Sequence, residues 1–469
     1  MNPLKLGNSR ELFWDDYLIN TSRTNAYLKQ HHPNMLDGGF TFDMPWEKGD
    51  PGYKSITFEN GIYRMYFGIN NLACCIESED LIHWTRPELD IVSYPGYEKT
   101  NILLGDEVDK HFTSVYVFLD TNPNCPYEER YKMTVLYNHV RTLLCYTSAD
   151  GYHFKFGWVM SDVGSFDTMN VALWLPQFQK YVCYIRDYHD LKKNFVEGDG
   201  ENWNVGVRDI RLMVSDDFKH WTDPVLLDYG SKEDIPLYTN SVFSYYRAPQ
   251  MLVGVPMRYY ERKAWTGNYD QLPDRQERLD RMKQDPRFGL TVTDCVLMTS
   301  RDGLHWDRQD EAWLAPGIER HGNWVYGNCT MINGFWETPS QLKDAPNEMS
   351  CYITEGDLWC LEPSHLYRYT MRIDGLFSYR ADYAPQTLVT KPILYEGGDL
   401  SLNFSTSARG YIYVTMSDGK NKITSCELFG DTLDRKVPFD GDLSKFVGKE
   451  ITLEFVMSDA DLYSMQFQK

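Results

Sequence analysis

The sequence has no long apolar run, no basic excess and no paired-cysteine spacing, and each absence removes a class of function. Nowhere in its 469 residues does an apolar stretch approach the roughly 20 residues that a membrane-spanning helix needs, so no membrane partner is expected. The opening Met1-Asn2-Pro3-Leu4-Lys5 lacks the apolar core of a signal peptide. A cytoplasmic location is therefore expected, the alternative being a periplasmic or secreted protein whose leader has been removed. Basic residues are few: 47 Lys and Arg against 67 Asp and Glu give a net charge of −20, which speaks against nucleic acid, a partner that demands a basic track. The ten cysteines include the neighbours Cys74 and Cys75 but no C-x-x-C and no metal-like spacing. They read as buried thiols in strands and mildly favour a reducing compartment; no metal and no cofactor is expected.

Aromatic residues, in contrast, are plentiful, at 15% with 33 tyrosines, a content that suits strands and sugar-stacking surfaces. A short motif also recurs: Ser78-Glu79-Asp80-Leu81-Ile82-His83-Trp84, Ser148-Ala149-Asp150-Gly151-Tyr152-His153-Phe154, Ser215-Asp216-Asp217-Phe218-Lys219-His220-Trp221 and Ser300-Arg301-Asp302-Gly303-Leu304-His305-Trp306. A worn copy follows, Arg372-Ile373-Asp374-Gly375-Leu376-Phe377-Ser378. The aspartates stand 70, 67, 85 and 72 residues apart. A fixed turn at near-constant spacing means one supersecondary unit used repeatedly, and here the unit is a β-propeller blade. In each turn the aspartate accepts backbone N–H bonds and the ring packs beneath the hairpin, so these aspartates and the histidines before the rings are structural.

The expected fold is all-β: a five-bladed β-propeller over residues 1–390, with an N-terminal strand at Glu11–Ile19, then a small C-terminal β-sandwich over 391–469. Blades are expected at about 45–100, 105–162, 163–230, 236–315 and 322–390. Two stretches break the rhythm, 188–207 and 260–290, and the second carries the charged helix former around Asp274–Lys283. The sandwich strands are expected at Leu400–Phe404, Gly410–Val414, Glu450–Phe455 and Leu462–Phe467.

A propeller gathers the starts of its inner strands around one central depression, where two opposed carboxyl groups could cleave a glycoside. Blade one offers Glu47 and Asp50 directly ahead of its inner strand. Blade three offers Asp167, and Arg186 after the next turn, which could hold a hydroxyl pair or a carboxylate bidentately. Blade four contributes Glu233, Asp234, Tyr238, Arg247 and Arg258; blade five contributes Trp324 as a stacking platform, with Glu348 and Glu355. The last two lie seven apart on one strand, so at most one faces the axis.

Asp50-Pro51 ahead of a strand, followed by Asn60-Gly61-Ile62-Tyr63-Arg64-Met65-Tyr66-Phe67, resembles the opening of the five-bladed propeller glycosidases, the arabinanase, xylosidase and fructosidase superfamily. Over its whole length the chain looks similar to uncharacterised bacterial propeller proteins with a C-terminal sandwich. The resemblance implies a glycoside hydrolase that removes a terminal furanosidic sugar from an oligo- or polysaccharide with inversion. It also implies that Asp50 or Glu47 acts as base or nucleophile, Asp167 as the acid that orients the sugar and tunes its partner, and Glu233 or Asp234 as general acid. The tryptophan-asparagine-aspartate-proline opening of the fructosidases and their glutamate-cysteine pair are absent. Three further readings stay open: a sialidase-like enzyme using Arg186, Arg247 and Arg258 as an arginine trio, a phosphorolytic enzyme using the same arginines, and a carbohydrate-binding propeller without catalysis.

Overall fold

A computed structural model describes residues 2–49, 51–105, 112–137, 141–190, 206–355 and 363–468. Five antiparallel sheets follow one another along the chain as propeller blades, and a nine-stranded sheet stands beside them. Blade one runs Lys54–Glu59, Ile62–Ile69, Leu72–Ser78 and Ile102–Leu104; blade two runs Phe112–Leu119, Tyr131–Tyr137, Thr142–Ser148 and Lys155–Ser161. Blade three holds Val171–Leu175, Lys180–His189, Val207–Ser215 and Val225–Leu226. In blade four, Phe243–Ser244 is innermost, Leu252–Gly254 and Met257–Glu261 together flank Thr291–Ser300, and Asp307–Leu314 is outermost.

Blade five is built from both ends of the propeller. Thr330–Met331 and Trp336–Thr338 pair with Glu348–Glu355, which pairs with Ser364–Met371, and the outermost strand is Asn34–Phe42 from ahead of blade one. Pairing the N-terminal strand with the last blade closes the ring and removes a free edge. The outer strand bends at Gly39, where φ is +137° and an added Cβ would stand 1.8 Å from the Leu366 carbonyl oxygen, so only glycine fits there.

The recurring turn does more than reverse the chain. In its first four copies the serine hydroxyl accepts the N–H of the aspartate, and of the residue after it, while aspartate Oδ1 accepts the next two N–H groups. The histidine Nδ1 closes onto Oδ2 at 2.7–2.8 Å. The turn carbonyls then receive a hydroxyl from the preceding blade: Tyr66 donates to Gly151, Tyr184 to Gly303, and Tyr352 of blade five to Leu81 of blade one. The motif rings Phe154, Trp306 and Trp84 pack edge-on against those same tyrosines. Each turn is thus also a latch between neighbouring blades.

The fifth copy is different in kind. Asp374 lacks the serine two residues before it and is fully buried. Its Oδ1 accepts from Tyr245 at 2.8 Å, and its Oδ2 from Ser464, Arg247, Asn403 and Arg10 at 2.7–3.3 Å. It ties the propeller to the nine-stranded sheet.

That sheet draws on more of the chain than residues 391–469. Glu11–Leu12, Phe377–Ala381 and Gln386–Val389 all pair with Lys449–Gln468, and Tyr27–Gln30 pairs with Phe377–Ala381, so the segments on either side of residue 390 share one sheet. The four strands expected in the C-terminal part merge into two, Asp399–Ser417 and Lys449–Gln468. Their register slips between Thr406 and Tyr411, which absorbs the polar Ser405–Gly410 break without ending the strand. The strand expected over Glu11–Ile19 covers only Glu11–Leu12, because the residues after it turn to bury Phe13, Trp14, Leu18 and Ile19 in two separate cores.

His31 lies under this junction, its Nε2 2.9 Å from the Ser378 hydroxyl and 3.7 Å from Asp461. Burial drives its pKa down from 6.5 to about 4, against the pull of Asp461. The unfolded chain therefore binds the extra proton between those two values, and stability falls as the pH drops through that window, by on the order of 2–3 kcal/mol in all. Urea midpoints measured at pH 7 and pH 4.5 should differ less for His31→Gln than for the wild type; equal differences would rule this out.

Candidate functional site at the axial face

The inner strands are stitched around the axis by buried polar groups. Ser55 of blade one accepts from the Val117 N–H of blade two, Asn240 of blade four donates to the Met169 carbonyl of blade three, and Ser241 of blade four donates to the Met331 carbonyl of blade five. These bonds fix the strand starts in place, so the residues ahead of them form one axial face.

On that face tyrosines from several blades meet. Tyr238, at the start of the inner strand of blade four, receives the Tyr326 hydroxyl of blade five at 2.6 Å and is also hydrogen-bonded to Tyr53 of blade one. Tyr259 packs against both Tyr238 and Tyr326, with ring centroids 5.9 and 5.7 Å away. Phe288, from the insertion between the two middle strands of blade four, covers Tyr326. Burial raises the pKa of the Tyr238 and Tyr326 hydroxyls, so they remain protonated donors.

Blade three supplies the charge. Asp167 forms an ion pair with Arg186, whose guanidinium lies 4.2 Å from the Tyr188 ring and 5.5 Å from the Tyr238 ring. Arg208, directly across the ladder from Tyr188, lies 3.9 Å from the Tyr259 ring and within 6 Å of Tyr188 and Tyr238. Strand alternation explains the grouping: Arg186, Tyr188 and Arg208 share one face of the blade, while Asp187, His189, Asp209 and Arg211 share the other. On that second face Arg211 pairs with Asp187 and Asp209, and His189 bridges Asp209 and Asp234 at 3.0 and 2.8 Å. Burial opposes the charged His189 ring, but the bonds to Asp234 and Asp209 outweigh it and raise its pKa.

The remaining candidates scatter. Asp50 lies outside the described residues, as does the side chain of Glu355. Glu47 does not face the tyrosine cluster: it is fully buried and accepts from Arg86, Asn101 and its own turn at Met44. Arg86, 39 residues on, neutralises its charge. Glu233 is exposed and contributes its carbonyl, which accepts from Arg308 at 2.5 Å. Asp234 is exposed and belongs to the His189 chain. Arg258 is spent on a bidentate pair with Asp294 at 2.9 and 2.6 Å, since alternation turns it away from Tyr259. Arg247 sits at the far end of its hairpin on Asp374, and Glu348 starts its strand at that same far end, accepting from Ser340. Trp324 bonds through its indole to Gly317, and its carbonyl accepts from Arg278 of the insertion. Arg186, Arg247 and Arg258 therefore do not form a trio.

One acid was missed in the sequence. Glu261, at the end of Met257–Glu261, falls two residues after Tyr259 and so on the same strand face. Its side chain is exposed, and partial desolvation beside the protein raises its pKa, opposed by Arg208 and Arg287 and reinforced by Asp285. Counting from Tyr259 by the strand period of two was the available signal.

At the opposite end of the axis lies a cavity of about 470 Å³ lined by rings including Phe58, Tyr63, Phe243, Phe335 and Trp336. Its one lining acid, Glu337, already accepts from Tyr246, so paired-carboxylate chemistry has no second member there. Among the described residues, His189, Asp190 and Asp234, and separately Asp274, Glu277 and His321, bring ligand atoms within 4.8 Å of one another. The first trio joins the end of the second strand of blade three to the link into blade four, and in the second Asp274 fastens the insertion to His321 and Gly322.

No protein-family model matches the sequence, and no curated protein matches it. Solved structures with a similar chain course include an N-acetylgalactosamine deacetylase from F. plautii in complex with blood group B trisaccharide, 13% identical, covering 77% of this chain and 94% of that one with a TM-score of 0.41. A thermostable family-43 glycoside hydrolase is also 13% identical, covering 74% and 95% with a TM-score of 0.43. A β-fructofuranosidase from Schwanniomyces occidentalis complexed with fructosyl-erythritol is 10% identical, covering 96% and 98% with a TM-score of 0.40. No helix among the described residues is long and apolar enough to cross a membrane.

Proposed function

We propose that the protein is a glycoside hydrolase that cleaves a terminal sugar from an oligo- or polysaccharide at the axial face, using Asp167 and Glu261. The observation that carries this reading is the cluster of tyrosines from three blades beside the Asp167–Arg186 ion pair, with Glu261 near enough to Arg208 to feel its charge. Glycoside cleavage needs one carboxyl that stays protonated and one that is ionised, and Glu261, whose pKa partial desolvation raises, suits the first. Asp167, held by Arg186, supplies an acceptor for a sugar hydroxyl or an attacking water, and the tyrosine rings and hydroxyls suit a polyol. A furanosidic sugar, inversion and a part for Asp50 rest on the resemblance of Asp50-Pro51 to the propeller glycosidases. The described cysteines are all free, in keeping with a cytoplasmic location.

Hydrolysis should be assayed on arabinofuranosyl, fructosyl, galactosyl and uronosyl glycosides, with the anomer of the first product read by NMR. Cleavage of at least one is expected. Binding of a glycan in calorimetry with no linkage cleaved would replace this reading with that of a carbohydrate-binding propeller.

A further inference from the structure

Arg186 and Arg208 carry more charge than their surroundings balance. Their exposures are 1% and 4%. Arg186 meets the single carboxylate of Asp167, and its Nε and Nη2 have no hydrogen-bond partner among the described residues. Arg208 has no carboxylate within 4 Å and donates no hydrogen bond among the described residues; its Nε is buried without a partner. Glu261 acts on it only at longer range. Among the described residues, two permanent cations against one close anion leave an excess positive charge, in a protein whose net charge is −20. An uncompensated buried charge is strongly unfavourable, and folding alone gives no reason to keep one.

The tyrosines do not remove this excess. The guanidinium carbons lie 4.2 and 3.9 Å from the Tyr188 and Tyr259 ring centroids, a contact that leaves Nε of each without a hydrogen-bond partner among the described residues. A planar cation stacked on a ring with its edge unspent is the geometry that receives a carboxylate through two parallel hydrogen bonds. The two guanidiniums share the Tyr188 and Tyr238 rings, so both can serve one ligand.

We propose that Arg208, with Arg186, forms a subsite for the carboxylate of an acidic sugar, so that the substrate is a uronate-bearing glycan. This rests on the carbohydrate reading of the same face and names the substrate class. A single surplus positive charge matches the single negative charge of a carboxylate; a phosphate dianion would leave the site overcompensated.

The test is calorimetric, with the methyl glycosides of glucuronic and galacturonic acid, their methyl esters and inorganic phosphate as probes. An ester keeps the shape of the sugar and removes only its charge. At least one acid should bind the wild-type protein about tenfold or more tightly than its ester, the scale of a charge-assisted bidentate contact. Arg208→Gln should erase that difference between acid and ester. Equal affinities of acid and ester, no binding of either uronate, or phosphate binding without uronate binding would overturn the subsite. The wild-type comparison decides the matter even if Arg208→Gln fails to fold. A clear acid preference with no glycoside cleaved keeps the subsite and rejects hydrolysis, whereas cleavage of neutral glycosides with no acid preference does the reverse.

Discussion

Glu261→Gln should cut glycoside turnover by at least about a hundredfold, the scale on which a positioned acid or base contributes. The amide keeps the size of the side chain and loses the transferable proton. Since partial desolvation holds the Glu261 pKa above its ordinary value, the wild-type rate should fall as the pH rises through that raised pKa, where the acid loses its proton. The residual activity of Glu261→Gln should lack this alkaline limb, and Glu261→Asp should restore part of the rate with the limb intact. Asp167→Asn should lower turnover on the same scale but also lower the melting temperature, because it leaves the buried Arg186 without its partner. The two variants thus separate by their melts. Full activity in Glu261→Gln on a substrate that the wild type cleaves would remove Glu261 from the reaction and direct attention to Asp50.

Asp374→Ala should destabilise the fold by roughly 3–5 kcal/mol, the cost of removing one partner from a buried charged network. The carboxylate is inaccessible and receives five side chains, and its loss leaves Arg10, itself 6% exposed, with only the longer contact to Asp434 as a charge partner. Asp150→Ala in a half-open turn should cost only about 1 kcal/mol, as for an N-cap aspartate whose backbone N–H groups water can reach. Urea denaturation of the two variants side by side tests the contrast. Equal losses would mean that Asp374 is one more turn residue and no keystone between propeller and sheet.

That contrast marks how far the sequence could be read. The five aspartates look alike in one dimension, and the first four act alike, because an aspartate turn is decided by the residues within it: serine two before, histidine three after. Asp374 has neither. Its partners lie between 29 and 364 residues away, from Asn403 to Arg10, and local pattern carries no information at that separation. The same limit governed the acids. Glu47 reads as a pocket residue from its position ahead of a strand, yet Arg86 and Asn101 claim it from the connection between the third and fourth strands of the blade.

Repetition and β-rich alternation were sufficient for the class, the number of blades, the helical insertion in blade four and the placing of Asp167 and Arg186 in the same blade. Those features repeat, or depend on contacts within one hairpin. Tertiary structure alone decided that Asn34–Phe42 closes blade five, that the C-terminal sheet recruits strands from the N-terminus, and that Arg208 and Glu261 join the axial face while Arg247 and Arg258 do not. Each of those outcomes is set by which strands become neighbours and which face of a strand turns toward the axis, and a one-residue step in a β-strand reverses the side chain's direction without altering its identity.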